Sequence, residues 1–152
     1  MKNTGMNLQA RMRSFKYSFD GIRDFFKAET NAWIHLAATI LILVVSLFFN
    51  LSSVEWMFIT VSISLVWITE MINTCIERIS DLISKDYRPI IKLIKDLAAG
   101  AVLIAGLSAL VCASIIFYQK FSSMNRRLSR RYSPFISNQS IQLFSVLQAF
   151  LL

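Results

Sequence analysis

Three long apolar runs, at 32–49, 54–76 and 97–118, dominate the pattern of the chain. Each approaches or exceeds the ~20 residues a helix needs to cross ~30 Å of hydrocarbon, so three transmembrane helices are predicted. Ahead of them, over 11–28, the period changes. Phe15, Phe19, Ile22 and Phe26 recur at helical spacing, with Lys16, Asp20, Arg23 and Lys27 as a parallel polar row. Such a helix lies in the membrane interface, its aromatics in the acyl boundary and its basic side chains among headgroups. Residues 1–10 are expected to be disordered. The predicted fold class is therefore an all-α membrane protein, an N-terminal interfacial amphipathic helix followed by three transmembrane helices. One compact membrane domain covers 11–118, with no room for a separate soluble catalytic domain. Beyond it, 119–152 reads as a basic C-terminal extension holding Arg126, Arg127, Arg130, Arg131 and Pro134, then a last apolar run, 141–152, too short to span as a helix.

Composition agrees, with 55% of the 152 residues apolar. The formal net charge of +7 raises nucleic acid as a partner, but its placement argues against one. Lys2, Arg11, Arg13, Lys16, Arg23 and Lys27 precede the first span. Arg78, Lys85, Arg88, Lys92 and Lys95 lie at or between the second and third, and the turn 50–53 has no basic residue. Positive charge marks the cytoplasmic side, so the N-terminus and second loop are expected inside and the first loop outside. The tail would then be external, where its arginines run against that tendency. Cys75 and Cys112 both fall within apolar runs, as small packing residues rather than a disulfide framework or metal motif. No cleavable leader is expected, since charge is spread throughout 1–31 and no apolar core comes first.

The second run carries the chemistry. Asn73, Thr74, Glu77 and Asp81 follow Glu70 at offsets of 3, 4, 7 and 11, which puts all five on one helical face. At ~1.5 Å rise per residue, Glu70 sits roughly 10 Å deeper than Glu77. A carboxylate at that depth is costly, and such residues usually serve function and face the bundle interior. Glu29, just before the first span, and Glu77, at the cytoplasmic end of the second, can together hold Mg²⁺ bound to substrate phosphates. Glu70 suits a general base and Lys95 can balance phosphate charge. The plainer reading is a polar seam between helices, and it suffices for Asn73 or Thr74 alone. Glu70, Glu77, Asp81 and Lys95 together favour function. Ala98, Ala99, Gly100 and Ala101 open the third span with small residues that permit close helix approach. The glycines (Gly5, Gly21, Gly100 and Gly106) form no phosphate-cradling loop. His35, without a matching ligand nearby, is expected to pack or make a local hydrogen bond. Two rivals are a small ion- or proton-coupled transporter and a non-enzymatic scaffold. The first needs polar groups through the full membrane depth, and the second has no use for Glu70.

The run Glu70-Met71-Ile72-Asn73-Thr74-Cys75-Ile76-Glu77-Arg78-Ile79-Ser80-Asp81, then Lys95-Asp96-Leu97-Ala98-Ala99-Gly100-Ala101-Val102-Leu103, resembles the prokaryotic diacylglycerol kinase and undecaprenol kinase family. Phe19-Asp20-Gly21-Ile22-Arg23 and Glu29-Thr30-Asn31-Ala32-Trp33-Ile34-His35 match as well, and the likeness covers 11–118. It implies a homotrimer in the bacterial cytoplasmic membrane, with Mg-ATP sites between neighbouring subunits on the cytoplasmic side. By motif position Glu70 matches the general base and Glu29 and Glu77 the metal ligands. Tyr17, Glu29, Glu77, Lys95 and Asp96 match the ATP-binding set, with Asn73 and Asp81 as supporting polar residues. The product implied is phosphatidic acid or undecaprenyl phosphate. Glu29-x-Asn31-x-x-Ile34-His35 is closer to the undecaprenol kinase branch, but both acceptors offer a primary hydroxyl. Cys75 departs from the family, which commonly has alanine there, and the tail has no counterpart.

Overall fold

A computed structural model describes the backbone of residues 8–150 and the side chains of 11–132. Four helices follow one another: α1 (Leu8–Ala28), α2 (Thr30–Leu47), α3 (Ser53–Ile83) and α4 (Pro89–Phe150), with no strand among the described residues. Helix α1 begins at Leu8, inside the stretch expected to be disordered, while residues 1–7 lie outside the described residues. Three helices are long and apolar enough to cross a membrane: α2, α3 and the part of α4 from Pro89 to Tyr132.

Local chemistry sets the boundaries. Between α1 and α2 a single residue, Glu29, turns extended, with φ −111° and ψ 114°. Its N–H still donates to Phe25 O at 3.0 Å, and the Trp33 indole N–H donates to Phe26 O at 3.0 Å. Carbonyls at the end of α1 thus find partners where helix ends otherwise leave them bare. The Glu29 carboxylate makes no cap bond to α2 and stays available. The first span closes earlier than the apolar run, because Phe48 and Phe49 wrap into a tight turn on Val45 and Ser46. Helix α3 opens on a capping box: the Ser52 hydroxyl accepts from Glu55 N–H, and the Glu55 carboxylate accepts from Ser52 N–H at 2.6 Å. It then continues past the predicted span to Ile83, so Glu77 and Asp81 both sit on helix. The expected loop shrinks to 84–88, since Pro89 begins α4 at a position where a missing N–H costs nothing. At 31 residues α3 is about 46 Å long, which exceeds the ~30 Å hydrocarbon layer.

The packing differs from that of a protein folded in water, with polar and apolar residues both buried and much apolar surface left exposed. Among the described residues the buried set includes Ser46, Glu70, Asn73, Thr74 and Ser80, whereas Leu41, Leu65 and Leu103 stand exposed on the spans. So much exposed apolar surface would be untenable in water. In lipid it is the expected outer face, and polar groups turn inward to find partners. The chain is a multi-pass membrane protein.

By its contacts the chain divides into two units, Met1–Cys112 and Ala113–Leu152. In the first, an aromatic cluster joins the helices. Phe25 and Phe26 of α1 meet Trp67 of α3 at centroid distances of 6.2 and 5.5 Å, and Phe26 meets Trp33 of α2 at 5.6 Å. Each edge-on or tilted pair adds ~0.5–1.5 kcal/mol beyond the area it buries. Of the predicted apolar row, only Phe26 joins this cluster. Phe25, one position off the row, is the buried residue, while Phe15, Phe19 and Ile22 remain exposed. Gly100 has no neighbour within 4 Å of where a Cβ would stand, so the close approach expected there is not made within one chain. In the second unit the backbone stays helical through Pro134 to Phe150, and Arg126, Arg127, Arg130 and Arg131 are exposed.

Candidate active site

All the candidate residues belong to the first unit, and half of them, Glu29, Glu70, Asn73 and Glu77, gather where α2 meets α3. Two levels can be distinguished along these helices. At the outer level, Glu29 at the α1–α2 break lies with Oε1 4.0 Å from Arg78 Nη2 on α3. Next to Arg78, Glu77 accepts a hydrogen bond from Asn73 Nδ2 at 3.0 Å, an i, i+4 contact along one face. At the inner level, His35 Nε2 on α2 lies 3.7 Å from Glu70 Oε2 on α3. His35 is six residues beyond Glu29, and Glu70 seven before Glu77. At ~1.5 Å per residue both steps are about 9–10 Å, so the antiparallel pair keeps its register between levels.

Glu70 is 2% exposed, the most buried ionisable side chain described. His35 is the ionisable side chain that lies beside it, and His35 itself stands edge-on to Trp67 at 6.4 Å. Trp67 in turn donates its indole N–H to Thr39 Oγ1 at 3.1 Å. The sequence reading gave His35 only packing or a local hydrogen bond. It does pack, against Trp67, and it also comes within 3.7 Å of Glu70 across the α2–α3 seam, because the two helices present His35 and Thr39 to Trp67 and Glu70 in register. Nothing in the spacing around His35 signals this, since the partner lies on another helix.

A third group lies further along α3. Asp81 is exposed rather than buried, close to the end of α3, although it shares the helical face of Glu70. Lys95 of α4 reaches it, with Nζ 2.5 Å from Oδ1, which ties α3 to α4. An ammonium has three donors, so Lys95 can keep Asp81 and still contact a phosphate. Asp96 turns to Lys92 within α4, and Tyr17 stands 67% exposed on α1. Neither is brought to the Glu70 cluster within one chain.

The donor set fits Mg²⁺ bound with a polyphosphate. No three His, Cys, Asp or Glu side chains converge among the described residues, which argues against an all-protein cage. Mg²⁺ usually takes only one or two carboxylates, the rest of its shell being water and phosphate oxygen, and Glu29 and Glu77 can supply those two. The Arg78–Glu29 contact is half exposed and long, a pair worth ~0–1 kcal/mol, so it yields easily to a cation. Asn73 Oδ1 and Thr74 Oγ1 are buried without a hydrogen-bond partner. Folded chains leave few such atoms, and functional sites are one place where they persist.

Fold and cluster together define a class: a small helical membrane protein with an acid–amide–acid face on its second span. The chain belongs to the prokaryotic diacylglycerol kinase family, whose family model matches residues 16–117. It is 34% identical over 108 residues to the undecaprenol kinase of Bacillus subtilis, covering 71% of this chain and 88% of that protein. It is 28% identical over 112 residues to the diacylglycerol kinase of Synechocystis, covering 73% of this chain and 64% of that one. With the diacylglycerol kinase of Escherichia coli it shares 27% over 121 residues, 80% of this chain and 99% of the relative. Membership implies a lipid kinase.

Every candidate residue falls inside the matched region, and the arginine-rich extension falls outside it. A chain ending at Lys120 is therefore expected to assemble in the membrane and phosphorylate lipid at close to the full-length rate. Loss of activity with assembly intact would move the domain boundary into the extension.

Proposed function

We propose that the protein transfers the γ-phosphate of ATP to the primary hydroxyl of diacylglycerol or undecaprenol, working as a homotrimer at the cytoplasmic face of a bacterial inner membrane. The observation that carries this reading is Glu70. An acid is kept 2% exposed inside a span, on the face that also presents Asn73 and Glu77, and such a group is retained for chemistry. The lipid hydroxyl enters from the bilayer and gives its proton to the Glu70 carboxylate as its oxygen bonds to the γ-phosphorus and ADP departs. Glu29 and Glu77 would hold Mg²⁺, which when bound neutralises charge on the phosphates. Lys95, steered by Asp81, adds positive charge, and Asn73 orients Glu77 through its amide. Phosphoryl transfer asks mainly for positioning and charge stabilisation, so a chain with no nucleotide-binding fold suffices. Tyr17 and Asp96, exposed on one chain, complete the nucleotide site in the trimer, and Phe15, Phe19 and Ile22 are free to enter the acyl boundary. A transporter would need its polar groups through the whole depth of the spans, whereas these cluster from Glu70 outward to Asp81.

The test uses the full-length chain in vesicles with γ-labelled ATP and Mg²⁺, supplied in separate arms with diacylglycerol or undecaprenol. Label is expected on one or both lipids, and the arms assign the acceptor. Absence of labelled lipid in both arms, from correctly assembled protein, would remove the kinase reading.

A further inference from the structure

The base is enclosed while its neighbour is not. Glu70 has a side chain 3% exposed and His35 one 24% exposed, with 3.7 Å between Nε2 and Oε2. The Glu70 carboxylate must lose its captured proton before a second turnover, and at 3% exposure it has little direct access to water. His35 is the ionisable group beside it, and it is the less enclosed of the two. The imidazole is fixed rather than free: Trp67 stands against its ring at 6.4 Å, and Trp67 is anchored by its bond to Thr39. A ring placed this way presents Nε2 to the acid. Neutral imidazole accepts at one nitrogen and donates at the other, which is what a one-proton relay requires.

We propose that His35 is a positioning residue that orients Glu70 and carries away the proton Glu70 takes from the lipid. This rests on the kinase reading above. The balance is simple. The hydroxyl O–H bond breaks and its proton goes to Glu70 Oε2 while the new O–P bond forms and ADP leaves. The Glu70 O–H then donates to His35 Nε2, the resulting imidazolium releases a ring proton to water, and proton exchange with water restores the tautomer whose Nε2 accepts, so that both side chains return to their starting state. No oxidant, reductant or further reactant is needed.

The experiment measures kcat and lipid KM for the full-length chain in vesicles. His35→Ala is expected to slow turnover about tenfold, less than the ~10²-fold of losing the base itself, with lipid KM unchanged. Added imidazole should restore most of the lost rate in His35→Ala and none in Glu70→Gln. His35→Gln, which keeps a hydrogen-bonding group but cannot relay a proton, should be as slow as His35→Ala. Parent-like turnover in His35→Ala, or slow turnover that imidazole leaves unchanged, would overturn the relay. If His35→Ala does not assemble, His35→Gln decides, and a parent-like rate there overturns it too. Glu70→Gln run in parallel separates the two ideas. Near-normal activity in that variant removes Glu70 as base and with it the reading this rests on. An inactive Glu70→Gln beside a parent-like His35→Ala removes the relay alone.

Discussion

Glu70→Gln is expected to lower lipid phosphorylation by at least ~10²-fold, the lower range for losing a general base. The substitution keeps the volume of the side chain and its capacity to bond His35, so the helix seam should survive. What disappears is the ability to accept a proton at a site 2% exposed, where water is a poor substitute. Because the change acts on the reacting hydroxyl, kcat should carry the loss while the KM for ATP stays close to the parent value. Initial rates with labelled ATP, normalised to assembled protein, give the answer. Near-normal turnover would transfer the role of base to another group and leave Glu70 as a buried structural acid.

The same residue shows what sequence could and could not convey. Apolar runs of membrane length need no partner to be recognised, and helical period alone puts Glu70, Asn73 and Glu77 on one face. Both follow from local geometry, and the structure has three candidate spans with Glu70 and Asn73 buried. Asp81 shows the limit of that reasoning: an offset of 11 keeps it within about 20° of Glu70 around the helix, yet close to the end of α3 the residue is exposed and paired to Lys95 of α4. The His35–Glu70 and Asp81–Lys95 contacts depend on how two helices are set against each other, which no spacing within one helix encodes. Phe25 makes the same point for α1. It lies outside the row of Phe15, Phe19, Ile22 and Phe26, yet it is buried and packs on Trp67 of α3. The connection between the second and third spans is shorter than the apolar runs at 54–76 and 97–118 imply, because α3 continues to Ile83 and Pro89, well suited to start a helix, opens α4.

Glu29 and Glu77 are expected to behave as one unit through Mg²⁺. They come from distant parts of the sequence, yet Glu29 reaches Arg78, the residue beside Glu77, at 4.0 Å. Asn73 holds one oxygen of Glu77 at 3.0 Å, which fixes the carboxylate on the Glu70 side of α3. Glu29 is freed for a ligand because it makes no cap bond at the start of α2. A lone carboxylate binds Mg²⁺ weakly, and substrate phosphates provide most of the remaining ligands. Glu29→Gln and Glu77→Gln should each therefore raise the Mg²⁺ concentration needed for half-maximal rate and lower turnover. The double variant should be little worse than either single one, since groups that act together are not additive. Chelating Mg²⁺ from the parent should reproduce the double variant. The competing view is that Glu29 only anchors α1 to α3 through Arg78. An anchoring role would weaken assembly and leave the Mg²⁺ dependence per assembled protein unchanged. Activity titrated against Mg²⁺ for the parent, both single variants and the double variant separates the two. Fully additive losses at an unchanged Mg²⁺ requirement would end the shared-metal assignment.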